Sequence, residues 1–107
     1  MSYDFMRVLL FFDLPMVTKK EKRIYTRFRK YLIQNGYTMM QFSIYGKIFN
    51  NRESASNHIR ILKRNVPDQG QIRIMLVTET QYSRIEIIVG GKSKQENLVN
   101  VEPFLLL

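Results

Sequence analysis

From Phe5 to Phe12 the chain reads Phe-Met-Arg-Val-Leu-Leu-Phe-Phe, and every position from Val8 onward is apolar. Alternation would mark a strand with one wet face. An unbroken run marks a strand covered on both faces and central in its sheet. Asp13-Leu14-Pro15 ends it, because proline cannot donate to a ladder. The next pattern is helical. Thr18 and Glu21 have the spacing of a capping box, and Ile24, Phe28, Tyr31 and Leu32 then recur as one apolar stripe. Gly36 is placed to stop the helix in the left-handed conformation. The pattern predicts a helix over 19–35.

Residues 37–49 are strand-like, with Met40, Phe42 and Ile44 alternating with Gln41, Ser43 and Tyr45. The stretch is long for one strand, so it is read as one strand or as two with a bend near Ser43. Asn50-Asn51 signals a turn. Ala55, Ile59, Leu62 and Val66 give the inward face of a second helix over roughly 53–65, which Pro67-Asp68-Gln69-Gly70 breaks. Residues 71–79 predict a strand. Thr80-Gln81 is read as a short turn and 82–89 as a further strand, with Ile85, Ile87 and Val89 on one side. The four large apolar residues Phe104, Leu105, Leu106 and Leu107 need a cover, such as a sheet edge in this chain or a second copy. Two helices can cover only one face of such a sheet. The doubly apolar first strand therefore asks for something on the other face, and a second copy is the economical candidate.

Length makes this one domain, 1–107, large enough to hold a core without staples. The chain has no cysteine, which excludes disulfides and thiolate metal sites. Its longest apolar run falls far below the roughly 18 residues of a membrane span, and no basic region precedes the first apolar run as in a signal peptide. The expected location is the cytoplasm, with no membrane partner.

Charge changes the picture more. The net charge is +8, and residues 1–64 carry 13 Lys/Arg against 4 Asp/Glu. Such a skew reads as a footprint for phosphates. The first helix holds most of it. With Ile24, Phe28 and Tyr31 inward, Lys19, Lys22, Arg23 and Lys30 project outward. Arg27 and Lys20 lie on one flank and Arg29 on the other. Glu21 is the only acid between Lys19 and Lys30, whereas solvated helix faces usually mix signs. Arg60, Lys63 and Arg64 extend the basic surface. No base-reading motif accompanies it, so contacts to backbone and duplex shape are expected.

Catalytic signatures are few. His58 is the one histidine and reads as a packing or surface residue. There is no nucleophile elbow, Gly-rich phosphate loop or paired metal-ligand spacing. Asp13 stands out, because a carboxylate at the C-terminal end of a central strand is a common functional position. Its alternative duty is to cap the turn before Pro15. One carboxylate is a weak metal site, but Mg²⁺ is commonly held by one or two carboxylates with water and phosphate oxygens. Two copies of Asp13 in a symmetric dimer would supply a pair for metal-assisted phosphodiester cleavage.

Several segments together resemble the small CRISPR-associated adaptation proteins of the Cas-two family, type II branch. They are Leu10-Phe11-Phe12-Asp13-Leu14-Pro15, Lys22-Arg23-Ile24-Tyr25, Phe28-Arg29-Lys30, Gln41-Phe42-Ser43-Ile44-Tyr45 and Val77-Thr78-Glu79-Thr80-Gln81-Tyr82. Their order and spacing carry the likeness over nearly the whole chain. The resemblance implies an α+β, ferredoxin-like βαββαβ fold with an extra C-terminal strand. It implies a sheet-to-sheet homodimer, with residues 98–107 reaching the partner subunit, and it splits 37–49 near Ser43. It further implies a dimer seated between two dimers of the Cas-one integrase that captures a double-stranded DNA prespacer for spacer acquisition. Other type II adaptation proteins are candidate partners.

In the family the aspartate ending the first strand, here Asp13, is the metal-binding and nuclease residue, with Mg²⁺ at the dimer twofold. The chain departs from many members at Phe12, where they carry tyrosine. The resemblance leaves two functions open. One is a non-catalytic dimeric scaffold that grips a duplex through Lys19, Lys22, Arg23, Arg27, Lys30, Arg60, Lys63 and Arg64. The other is a Mg²⁺-dependent endonuclease, acting on RNA or DNA, with Asp13 from both subunits. A third reading, an RNA-recognition module, needs exposed aromatics on the sheet.

Overall fold

A computed structural model describes residues 5–91. The elements run β1 (Met6–Asp13), α1 (Lys19–Gln34), β2 (Thr38–Gln41), β3 (Ile44–Phe49), α2 (Arg52–Leu62), β4 (Gln71–Thr78) and α3 (Glu79–Ser83). One four-stranded sheet has the order β2-β3-β1-β4, with every pairing antiparallel. This is the ferredoxin-like βαββαβ arrangement, followed by a short helix. Strand β1 is central, as its continuous apolar run requires.

Alternation along β1 sorts its side chains. Met6, Val8, Leu10 and Phe12 enter the core with Phe28 and Leu32 of α1 and Ala55 and Leu62 of α2. The two helices therefore form one layer on one face. Arg7, Leu9, Phe11 and Asp13 take the other face. Their cross-strand partners there are Ile48, Gly46 and Ile44 on β3 and Val77, Met75, Arg73 and Gln71 on β4. Only the Arg7 end of this second face is covered by α3, where Tyr82 lies 3.9 Å from the Arg7 guanidinium carbon. Met75 stays 53 % exposed and Ile48 37 %.

Local chemistry explains the boundaries. The Thr18 hydroxyl accepts from the Glu21 N–H at 3.1 Å, and the Glu21 carboxylate accepts from the Thr18 N–H at 2.9 Å. At the other end of α1 the Gly36 N–H donates to Ile33 and the Tyr37 N–H to Leu32. Gly36 itself has φ +88°, so this is a Schellman stop that glycine favours. Asn51 caps α2 through the Ser54 N–H. The 37–49 stretch does split: β2 and β3 form a hairpin with Phe42 and Ser43 at its tip, and Ser43 has φ 69°.

One element differs from expectation. The strand predicted over 82–89 is absent, and Thr80-Gln81 is not a turn between strands. Thr78 caps α3, with its hydroxyl accepting from the Gln81 N–H and the Gln81 side chain accepting from the Thr78 N–H. Two satisfied backbone donors and the Arg7–Glu79 contact outweigh the β-propensity of Ile85, Ile87 and Val89, which stay at least 49 % exposed. The apolar tail Phe104, Leu105, Leu106 and Leu107, and the strand over 98–107, lie outside the described residues.

Candidate functional site

Two regions carry chemistry. The first is the end of the sheet where β1 finishes. Asp13 is exposed and pairs with Gln71 of β4. An open recess of about 240 Å³ lies beside it, lined by Phe11, Asp13, Ser43, Ile44, Gln71 and Arg73 among others. Three strands bring these residues together. Gly70 fixes the geometry: it has φ +73°, and a Cβ there would collide with the Asp13 carbonyl oxygen. Only glycine allows β4 to start so close to the end of β1.

The recess offers one carboxylate, a serine, an amide and an arginine. Among the described residues no three His, Cys, Asp or Glu side chains gather into a metal cage. The donors of one chain suit a hard cation shared with phosphate oxygens, not a cation held by protein alone. Charge and spacing along the chain do not single out Arg73. It faces Phe11 across β1 and β4, and the alternation of Ile72, Ile74 and Leu76 into the core is the signal that turns it outward.

Phe12 goes the other way. It is 5 % exposed and packs with Phe28 edge-on at 5.4 Å, Tyr45 at 5.6 Å and Tyr25 at 5.8 Å. Its ring packs in the helix-side core, and Phe12 also lines the recess beside Asp13.

The second region is the outer surface of the helix layer. Lys19, Lys22, Arg23, Arg27 and Lys30 of α1 are all exposed, as are Lys20 and Arg29. Arg60 on α2, with Lys63 and Arg64 just after it, is exposed too. Glu21 sets a single carboxylate among these cations, and it is tied to the Val17 and Thr18 N–H groups at the start of α1. The Thr18 backbone hydrogen bond holds its pKa below the usual carboxylate value. Arg29 leans toward the sheet, its Nε donating to the Tyr45 hydroxyl at 3.0 Å. Burial pushes that hydroxyl's pKa up and Arg29 pulls against it. The basic surface and the Asp13 side of the sheet thus lie on opposite faces.

His58 is a packing residue, as expected. Its Nε2 lies 2.7 Å from the Tyr37 hydroxyl, and its ring centroid is 4.9 Å from that of Phe49. Burial lowers its pKa, and nearby Lys47 adds to the effect. It is remote in role from both regions. Among the described residues no helix is long and apolar enough to cross a membrane.

Comparison with known proteins agrees with this geometry. The family model described as CRISPR associated protein Cas2 matches residues 6–85. A protein of Acidovorax ebreus named CRISPR-associated endoribonuclease Cas2 is 44 % identical over 94 % of this chain and 99 % of its own. A Treponema denticola protein of the same name is 40 % identical over 95 % of this chain and all of its own. One from Streptococcus mutans is 40 % identical over 81 % of this chain and 80 % of its own. The match runs through β1, the basic helix and β4 alike, and the chain belongs to the CRISPR-associated Cas2 family.

Proposed function

We propose that two copies of this chain pair sheet to sheet and serve as a non-catalytic scaffold in CRISPR adaptation. The pair bridges two dimers of the Cas-one integrase in the cytoplasm and holds a prespacer duplex by its phosphates. The observation that carries this reading is the opposition of two unlike surfaces. A helix layer with an almost uniformly basic exterior backs onto a sheet whose far face, among the described residues, leaves the apolar side chains Met75 and Ile48 exposed. Joining the apolar faces leaves both basic layers outside. Arginine there matches phosphate oxygens with paired donors, and lysine adds mobile point charge.

Duplex binding measured against salt tests it. A dimer making about 6–10 phosphate contacts loses roughly 10³–10⁵ in affinity between 50 and 200 mM salt. Replacing Arg23 and Arg27 by serine lowers both the affinity and the slope, by about 0.9 in log–log slope for each contact removed. Unchanged affinity and slope would remove α1 from the interface.

A second reading is a Mg²⁺-dependent endonuclease that draws Asp13 from both subunits. Asp13 is exposed beside the recess, Arg73 lines the same recess, and the relatives are named endoribonucleases. Asp13 of each subunit would hold the ion. When bound, Mg²⁺ neutralises phosphate charge and lowers the pKa of its water. The protein's part is to present the carboxylates and to steady the phosphate with Arg73. Cleavage of RNA and DNA by wild type and Asp13→Asn, each with Mg²⁺ and with chelator, decides it. Equal activity in all four cases excludes this reading.

A further inference from the structure

The tip of the β2–β3 hairpin presents an aromatic ring to water beside the basic helix. Phe42 is 70 % exposed. Burying so large an apolar side chain is favourable, yet the fold leaves it out. Tyr25 of α1 lies near-parallel to it, with centroids 6.2 Å apart and planes 23° apart. Tyr25 also contacts Phe12, so the outermost ring rests on an aromatic series rooted in the core. The tip is held in place as well. The Ser43 carbonyl accepts from the Phe12 N–H at 3.1 Å. Ser43 has φ 69°, a conformation that serine adopts at a cost.

Charge gathers along α1 around Tyr25, the ring that backs Phe42. Lys22 and Arg29 stand three residues before and four residues after Tyr25, so both are its neighbours on the helix surface. Both are exposed. The acid closest in sequence to Lys22, Glu21, is engaged in the capping box. Arg29 also donates from Nε to the Tyr45 hydroxyl. An exposed ring stacked on a helix that carries cations can accept a nucleobase on the ring and neighbouring phosphates on the cations. A paired base inside a duplex cannot reach the ring, but an unpaired one can.

We propose that Phe42, backed by Tyr25 with Lys22 and Arg29 beside Tyr25 on α1, is a stacking site for an unpaired nucleobase of a single-stranded tail. The proposal rests on the reading of this protein as a nucleic-acid binder and adds a preference for strand ends over duplex. The site lies at the hairpin tip, not on the sheet face and not at the Asp13 carboxylate.

The test compares a DNA duplex carrying single-stranded oligo-deoxythymidine tails with the same duplex blunt. Phe42→Ala and Phe42→Leu are both expected to weaken the tailed duplex by about 5- to 150-fold, the worth of one base–aromatic stack, and to leave the blunt duplex unchanged. Leucine keeps apolar bulk and lacks the ring, so it isolates stacking. Phe42→Trp keeps a ring in a chain with no other tryptophan, and its emission is expected to be quenched by the tailed duplex and not by the blunt one. Thermal unfolding checks that each variant is folded.

The proposal is overturned if Phe42→Leu binds the tailed duplex like wild type. It is overturned if both duplexes weaken equally, if the tryptophan emission ignores a bound tail, or if the variants lose only self-association or protein binding. If wild type binds neither duplex, the nucleic-acid reading fails along with this site. If the blunt duplex binds and the tails add nothing, only the stacking site fails.

Discussion

The Arg7 guanidinium meets the Glu79 carboxylate through two bonds, Nε to Oε1 at 2.6 Å and Nη2 to Oε2 at 3.0 Å. Arg7 is 2 % exposed and Glu79 28 %. The pair ties the start of β1 to α3, and the Tyr82 ring covers the same guanidinium. Truncating one partner of a buried pair costs about 3–5 kcal/mol. Glu79→Ala is expected near the lower figure, about 3 kcal/mol, since Tyr82 still faces the cation. Glu79→Gln keeps an acceptor and recovers part of the loss. Urea unfolding of the three proteins reads this directly.

That contact also marks the reach of local pattern. Thr78 and Gln81 repeat the capping logic of Thr18 and Glu21, yet only the earlier pair reads as a helix start. The difference lies downstream of each cap. An apolar stripe at helical spacing comes after Thr18, whereas Ile85, Ile87 and Val89 come after Thr78 at strand spacing. The decisive partner of α3 is Arg7, 72 residues away, and no local pattern carries that distance. The central strand, both long helices and the outward basic side chains are legible in the sequence, because each rests on spacing within one element, whereas residues 37–49 read equally as one strand or as two with a bend near Ser43. Asp13 is legible from its place at a strand end. Arg73 and the recess are not, because the recess is assembled from three strands.

Gly70→Ala is expected to destabilise the fold by at least about 2 kcal/mol. The new methyl collides with the Asp13 carbonyl oxygen on backbone with φ +73°, so β1 and β4 must part at the recess. Gly91→Ala is the control, since nothing lies within 4 Å of its added carbon and its φ is not in the left-handed region. Calorimetric melting of both variants separates the two cases.

The Tyr37–His58 contact gives stability a pH dependence of definite sign. Burial holds the folded-state pKa of His58 below 6.5. The unfolded chain therefore takes up a proton first as pH falls. The neutral ring's contribution is complete above pH 6.5 and declines as pH drops from there through the folded value. Lys47, which donates to the Asn35 carbonyl nearby, opposes the second cation. Denaturant midpoints between pH 7.5 and 5 are expected to fall in wild type and to fall less in His58→Phe. Equal slopes would refute the assignment.

Met75 stands opposite Leu9 on the sheet face away from the two long helices and is 53 % exposed among the described residues. If two copies meet there, a charge at its position is buried without a partner in the pair and solvated in the monomer. Met75→Lys is expected to leave the unfolding midpoint of the single chain within about 0.5 kcal/mol and to abolish self-association in sedimentation velocity. A variant that still dimerises would place the interface elsewhere.

Strand β1 is one segment under two separate sets of constraints. Its even positions, Met6 to Phe12, answer to helices in the same chain. On the odd side, Arg7 and Leu9 are already buried within the chain, and only Phe11 and Asp13 answer to whatever approaches from outside. A positional scan along this single strand should therefore yield two phenotypes. Polar changes at even positions, and at Leu9, should stop the protein accumulating in cells. The same changes at positions 11 and 13 should leave its abundance intact and silence what it does. Past Leu10, the parity of a residue number would then predict whether a lesion is one of folding or of association.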